Sequence, residues 1–154
     1  MAFDVNSFKG ELKLGGARPN LFQAELISPV GGLDNFRFMC KAAQLPGSTI
    51  PSIDVPYFGR QIKYAGNRTF EPWTVTIIND TDFSVRDAME RWMNGINAHA
   101  ANTGLSNPVD YEADLSVDQL DRNGDVLKTY NFRGCFPTNV SEIALSYETN
   151  DVVE

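Results

Sequence analysis

Three carboxylates, Asp110, Glu112 and Asp114, stand at alternate positions in one short run. On a β-strand that spacing puts all three on one face, and two carboxylates at the right separation are the acid/base equipment of a glycosidase. The run brings no cleft-building aromatics on that face, so it reads as a solvated acidic surface. Asp121-Arg122-Asn123-Gly124-Asp125 resembles the start of a calcium loop. Such a loop needs Gly at its sixth position and Glu at its twelfth. Here Gly is fourth and the twelfth residue is Phe132. A hairpin turn accounts for these residues instead.

The remaining chemistry-bearing residues are sparse. His99 is the only histidine and falls near the end of a helical segment, where an imidazole favours the helix dipole. No G-x-S-x-G pattern marks a nucleophile for it. The glycine pairs at 15–16 and 31–32 fit neither a dinucleotide fingerprint nor a phosphate loop. Cys40 and Cys135 both lie in apparent strands and read as buried, reduced thiols. Two cysteines and one histidine fall short of a four-ligand structural zinc site. The sequence therefore implies no enzyme, no metal and no cofactor.

Charge narrows the function further. The chain of 154 residues has a formal net charge of −7 and a pI near 4.7. Nucleic-acid binders carry basic patches and high pI, and an acidic chain repels phosphate on average. An acidic surface can still face DNA where the task is not to hold it. No apolar run approaches the roughly 18 residues of a membrane span. The N-terminus MAFDVNSF lacks the layout of a signal peptide, so folding in the cytosol is expected.

The elements that position these residues follow from hydrophobic period. Val85, Met89, Trp92, Met93 and Ile96 fall at i, i+4, i+7, i+8 and i+11, the apolar stripe of one long helix. Ser84 with Asp87 is a capping pair for it, and Thr81 or Asp82 could serve instead. Before it, Trp73, Val75 and Ile77 alternate as a strand does. Leu21 to Ser28 and Asn35 to Leu45 read as two earlier strands, the first ended by Pro29, Gly31 and Gly32. In the second, Phe36, Phe38 and Cys40 share a face. Residues 1–20 read as an extended arm.

Two further strands run from Val109 and around Asn123-Gly124, the strongest short hairpin signal. A two-residue turn there pairs residues whose numbers sum to 247, matching Val117 with Tyr130, Leu115 with Phe132, Asp118 with Thr129 and Asp114 with Arg133. Val140 to Thr149 alternates Ile143, Leu145 and Tyr147 and reads as a last strand. One amphipathic helix among strands implies a mainly β fold, an antiparallel β-sandwich or barrel with one flanking α-helix, in a single domain over 1–154. Residues 46–66 interrupt it as a loose, proline- and glycine-punctuated hairpin. Ile50, Ile53, Val55, Tyr57, Phe58 and Ile62 make this excursion too apolar for disorder, which implies a partner surface.

KAAQLPGSTI at Lys41–Ile50, VPYFGRQIKYAGNRTF at Val55–Phe70, WTVTIIND at Trp73–Asp80, and Trp92 and Asn97 form an ordered set over most of the chain, from about Phe22 to Tyr147. This set resembles the tail tube protein family of contractile-tailed bacteriophages. The resemblance implies a structural virion protein without catalytic residues. It implies hexameric rings stacked into a tube inside a contractile sheath, with DNA passing down the channel. Sheath, baseplate and tail-terminator proteins would be its partners, and assembly would take place in the host bacterial cytoplasm. Tubes of type VI secretion and of phage-like injectors share the fold family and stay open as alternatives. So does, in another class, a monomeric β-sandwich binding module with 46–66 as its lid. In the tube reading the excursion docks on an adjacent ring. Asp110, Glu112, Asp114, Asp118 and Glu25 are candidates to line the lumen, and the sequence does not rank them.

Overall fold

A computed structural model of the chain describes residues 4–12, 16–27, 29 and 36–154. The turn expected at Gly31–Gly32, the start of the second strand at Asn35 and Gly15 of the first glycine pair lie outside the described residues. The fold is mainly β, with antiparallel pairing throughout.

The central sheet has three strands in the order β1-β8-β9. β1 is Phe22–Leu26, β8 is Ala113–Leu120 and β9 is Val126–Cys135. Alternation dictates which side faces inward: Ala24, Leu26, Ala113, Leu115 and Val117 are buried, with Tyr130 and Phe132 half-buried beside them. A second pair, β2 (Cys40–Gln44) with β7 (Thr74–Ile77), contributes Cys40, Val75 and Ile77 to the same core. Trp73, just before β7, stacks on Phe132 of the central sheet with ring centroids 5.5 Å apart. Helix α3 (Ser84–Ile96) completes the core with Val85, Ala88 and Trp92. Trp92 also donates its indole N–H to the Tyr111 carbonyl at 2.7 Å. That bond lets a large aromatic be buried with its polar atom satisfied.

The β8–β9 register keeps the expected partners, Val117↔Tyr130, Leu115↔Phe132 and Asp118↔Thr129, but the turn differs. Asp121 N–H donates to the Asp125 carbonyl, so the loop holds three residues, Arg122 to Gly124. Gly124 takes φ +88°, the left-handed conformation that such a loop requires. The offset is one residue, and a bulge between Gln119 and Leu120 restores the register beyond it. A second irregularity overturns the expected Asp114–Arg133 pair. Gly134, at φ +64°, donates its N–H to Asp114 at 3.3 Å, and Ala113 pairs with Cys135.

Five other expectations are corrected. Asp4 caps a short helix, α1 (Val5–Glu11), inside the supposedly extended arm by accepting the Asn6 N–H at 3.0 Å. The strand expected from Asn35 begins instead with one helical turn, α2 (Phe36–Met39). A strand would have placed Phe36 and Phe38 together; the turn buries Phe36 and leaves Phe38 81% exposed. Likewise Pro108–Tyr111 forms a helical turn, α4, with Pro at its first position, so β8 starts only at Ala113. Finally, Val140 to Thr149 forms no strand. The expected cap of α3 is also absent: Phe83 is the N-cap, in left-handed conformation, with no side-chain bond. Asp87 in the first turn complements the helix dipole instead.

Candidate subunit interface

Among the described residues, 52–65 form a hairpin that joins no larger sheet. β4 (Ser52–Tyr57) pairs only with β5 (Arg60–Ala65), and every residue of both strands is exposed. Alternation sorts its faces. Ile53 opposes Tyr64, Val55 opposes Ile62 and Tyr57 opposes Arg60 on one side; Asp54 opposes Lys63 on the other. One face is therefore aliphatic and aromatic, and none of the described residues buries it. An isolated two-stranded hairpin is at best marginally stable in water. At its root, Gly66 donates its N–H to the Pro51 carbonyl at 2.7 Å. A Cβ there would lie 2.8 Å from that oxygen.

The tip is Phe58-Gly59, both at positive φ, +45° and +76°. This is the type I′ turn of a two-residue hairpin, which favours Asn or Gly at the first position. Phenylalanine there costs about 1–2 kcal/mol of backbone strain. The residue is 90% exposed, and its ring meets that of Tyr57 edge-on with centroids 4.5 Å apart. A strained, solvated aromatic at a loop tip is a mark of function. Ile50, half exposed, leads from β3 (Ser48–Thr49) into the hairpin, and β3 pairs with β6 (Thr69–Phe70) to form its base.

The acidic residues do not all gather. Glu25, Asp114 and Asp118 share the outward face of the central sheet, together with Gln23, Ser116, Thr129, Asn131 and a single cation, Arg133. Thr129 donates its hydroxyl to Asp118 at 2.5 Å. Asp110 sits apart on the exposed α4 turn, and Glu112 follows it as the C-cap. The residues of the helix stripe also divide. Val85 and Trp92 are buried, and Met89 and Ile96 pack half-buried against the core. Met93 instead lines an open groove with Asp87, Glu90 and His99. Ala88, fully buried, is the member that the sequence reading passed over, because small residues carry little weight in a hydrophobic stripe.

Neither thiol is activated. Both cysteines are free and half-buried. Burial pushes the Cys40 pKa up; burial, then the charges of Asp114 and Glu112, push Cys135 up as well. Higher pKa means less thiolate and less nucleophile. Among the described residues, no three His, Cys, Asp or Glu side chains group as metal ligands, and no helix is long and apolar enough to cross a membrane.

Sequence comparisons agree with an assembly role. The family model described as phage tail tube protein matches residues 6–154. The tail tube protein gp19 of Enterobacteria phage T4 is 37% identical over 139 residues, covering 90% of this chain and 83% of its own. Its counterpart from Enterobacteria phage T6 matches to the same extent. The tail tube protein of Serratia phage KSP90 is 30% identical over 154 residues, covering 96% and 87%. On these matches the chain belongs to the phage tail tube protein family, a structural protein of the virion tail and not an enzyme.

Proposed function

We propose that this chain is the subunit of an inner tail tube, in which hexameric rings stack inside a contractile sheath and enclose the channel for DNA ejection. The observation that carries the reading is the exposed hairpin Ser52–Ala65 with its apolar face and strained Phe58 tip. Ile50, Ile53, Val55, Tyr57, Phe58 and Ile62 dock on an adjacent ring, burying surface that a lone subunit leaves in water. The chain is then one tube domain, with the N-terminal arm of residues 1–20 and the 46–66 excursion as its reaching parts. A lid arrangement finds no support in a hairpin whose strands are exposed on every residue.

Ring closure follows from the central sheet. β1 and β9 are its edges, and among the described residues each has no second strand beside it. Pairing between copies removes such edges. The sheet's outward face, with Glu25, Asp114 and Asp118 against Arg133 alone, then lines the lumen. Its net negative charge repels the passing phosphate backbone and keeps friction low. Sheath, baseplate and tail-terminator proteins are the remaining partners, with assembly in the host bacterial cytoplasm.

Two measurements test this. Purified protein examined by negative-stain imaging should form rings or rods; a strictly monomeric 17.1 kDa species at high concentration contradicts the reading. Duplex DNA should show no gel shift at physiological salt. A retained shift that weakens with salt would mean phosphate contacts, and would count against a repelling channel.

A further inference from the structure

Residues 140–149 alternate apolar and polar side chains as a strand does, yet among the described residues they pair with no strand. The segment is held at its ends. Arg86 Nη1 donates to the Ser141 carbonyl at 3.1 Å, and the Val153 carbonyl accepts the Asn79 N–H at 2.9 Å. Lys41 pairs with Glu154 just beyond. Between these anchors no backbone hydrogen bond joins the segment to the described residues. Leu145 is 84% exposed, and Tyr147 is fully so. Strand alternation without a ladder is a half-built structure, because extended backbone gains its stability from a partner edge.

We propose that Ser141–Tyr147 adds as a strand to the free edge of β9 in a second copy of this chain. The proposal rests on the self-assembly reading above and names one contact within it. Length and chemistry choose the edge. β9 is the longest strand, 10 residues, and has β8 on one side only. With Ile143, Leu145 and Tyr147 on the side of Tyr130 and Phe132, the donated strand extends the apolar row. Glu142, Ala144 and Ser146 then fall on the side of Thr129, Asn131 and Arg133. Glu142 thereby joins the face that carries the sheet's one outward cation. The β1 edge would place it on the face beside Glu25 instead, like charge on like. The segment's own β9 is not used, because Arg86 holds the chain on α3 at Ser141.

Ala144→Pro tests the contact. Ala144 is exposed and makes no hydrogen bond to the described residues, so proline takes no bond from the free chain but removes a ladder donor. The variant should melt with the parent and fail to assemble. In parent tubes, amide exchange over 142–147 should slow by about ten-fold or more relative to the unassembled chain. In a Cys40→Ser, Cys135→Ser background, Ser146→Cys should cross-link between copies with Asn131→Cys and not with Gln23→Cys. Tubes formed by Ala144→Pro, or 142–147 exchanging as fast in parent tubes as in the free chain, overturn the proposal. Cross-linking through position 23 overturns the choice of edge. A parent that never assembles overturns the tube reading and this contact with it, whereas parent tubes with unprotected 142–147 overturn this contact alone.

Discussion

Replacing Tyr57 and Phe58 together with serine is expected to yield a folded chain that no longer forms tubes. Both rings lie outside the core, 61% and 90% exposed, so their removal takes nothing from the packing around Trp92. Circular dichroism of the variant should overlay the parent's. Serine at position 58 still occupies a left-handed turn, so the hairpin itself persists. What is lost is interface. Burying two aromatic side chains is worth about 2–4 kcal/mol net of ordering costs. In the proposed hexameric rings six such contacts at each junction would make that sum decisive, since a ring docks as a unit and its contacts act together. Imaging at a concentration where the parent is tubular decides the matter. Long tubes of the double variant would remove the hairpin from stacking. A variant that fails to fold would place the hairpin in the domain's own core, contrary to its exposure.

The second large effect is on stability. Trp92→Ala is expected to destabilise the subunit by about 3–5 kcal/mol, as large-to-small changes at buried aromatics do. The side chain is 2% exposed and sits where α3 meets the central sheet. Its removal opens a cavity and also leaves the Tyr111 carbonyl without the indole donor. Trp92→Phe separates the two contributions: it keeps most of the volume and loses the hydrogen bond, at a cost of about 1–3 kcal/mol. Small domains have total stabilities of about 5–15 kcal/mol, so the alanine variant approaches the unfolding threshold. Urea titration of both variants checks the ordering. An alanine variant within about 1 kcal/mol of the parent would mean that Trp92 is not the anchor of the helix.

The sequence by itself determined a good deal. The alternation at Phe22, Ala24 and Leu26, at Trp73, Val75 and Ile77, and at Leu115 and Val117 decided the inward faces, because strand period admits one assignment once a core must form. The Asn123-Gly124 signal located the β8–β9 turn. Net charge and the scarcity of histidine and cysteine excluded most chemistry, and the ordered motifs from Lys41 to Asp80 carried the family. Short elements were misread where two periods coincide. Phe36–Met39 and Pro108–Tyr111 each span a single helical turn, too few residues for period 2 and period 3.6 to separate. There the N-terminal proline at 108 was the available signal. At Val5–Glu11 it was the Asp4 cap, with Val5, Phe8 and Leu12 at helical spacing.

Other features were decided only by tertiary structure. The three-residue loop at Arg122–Gly124 and the bulge that offsets it depend on how the strands twist together, since either turn length satisfies the local sequence. That Glu25 joins Asp114 and Asp118 on one face follows from β1 pairing with β8, a contact between residues some ninety positions apart that no local pattern encodes. Asp110 and Glu112 lie off that strand face because Pro108 starts a helical turn before the strand. Val140 to Thr149 shows the reverse limit. The strand pattern is present in the sequence, but a strand needs an edge to pair with, and among the described residues this segment pairs with none.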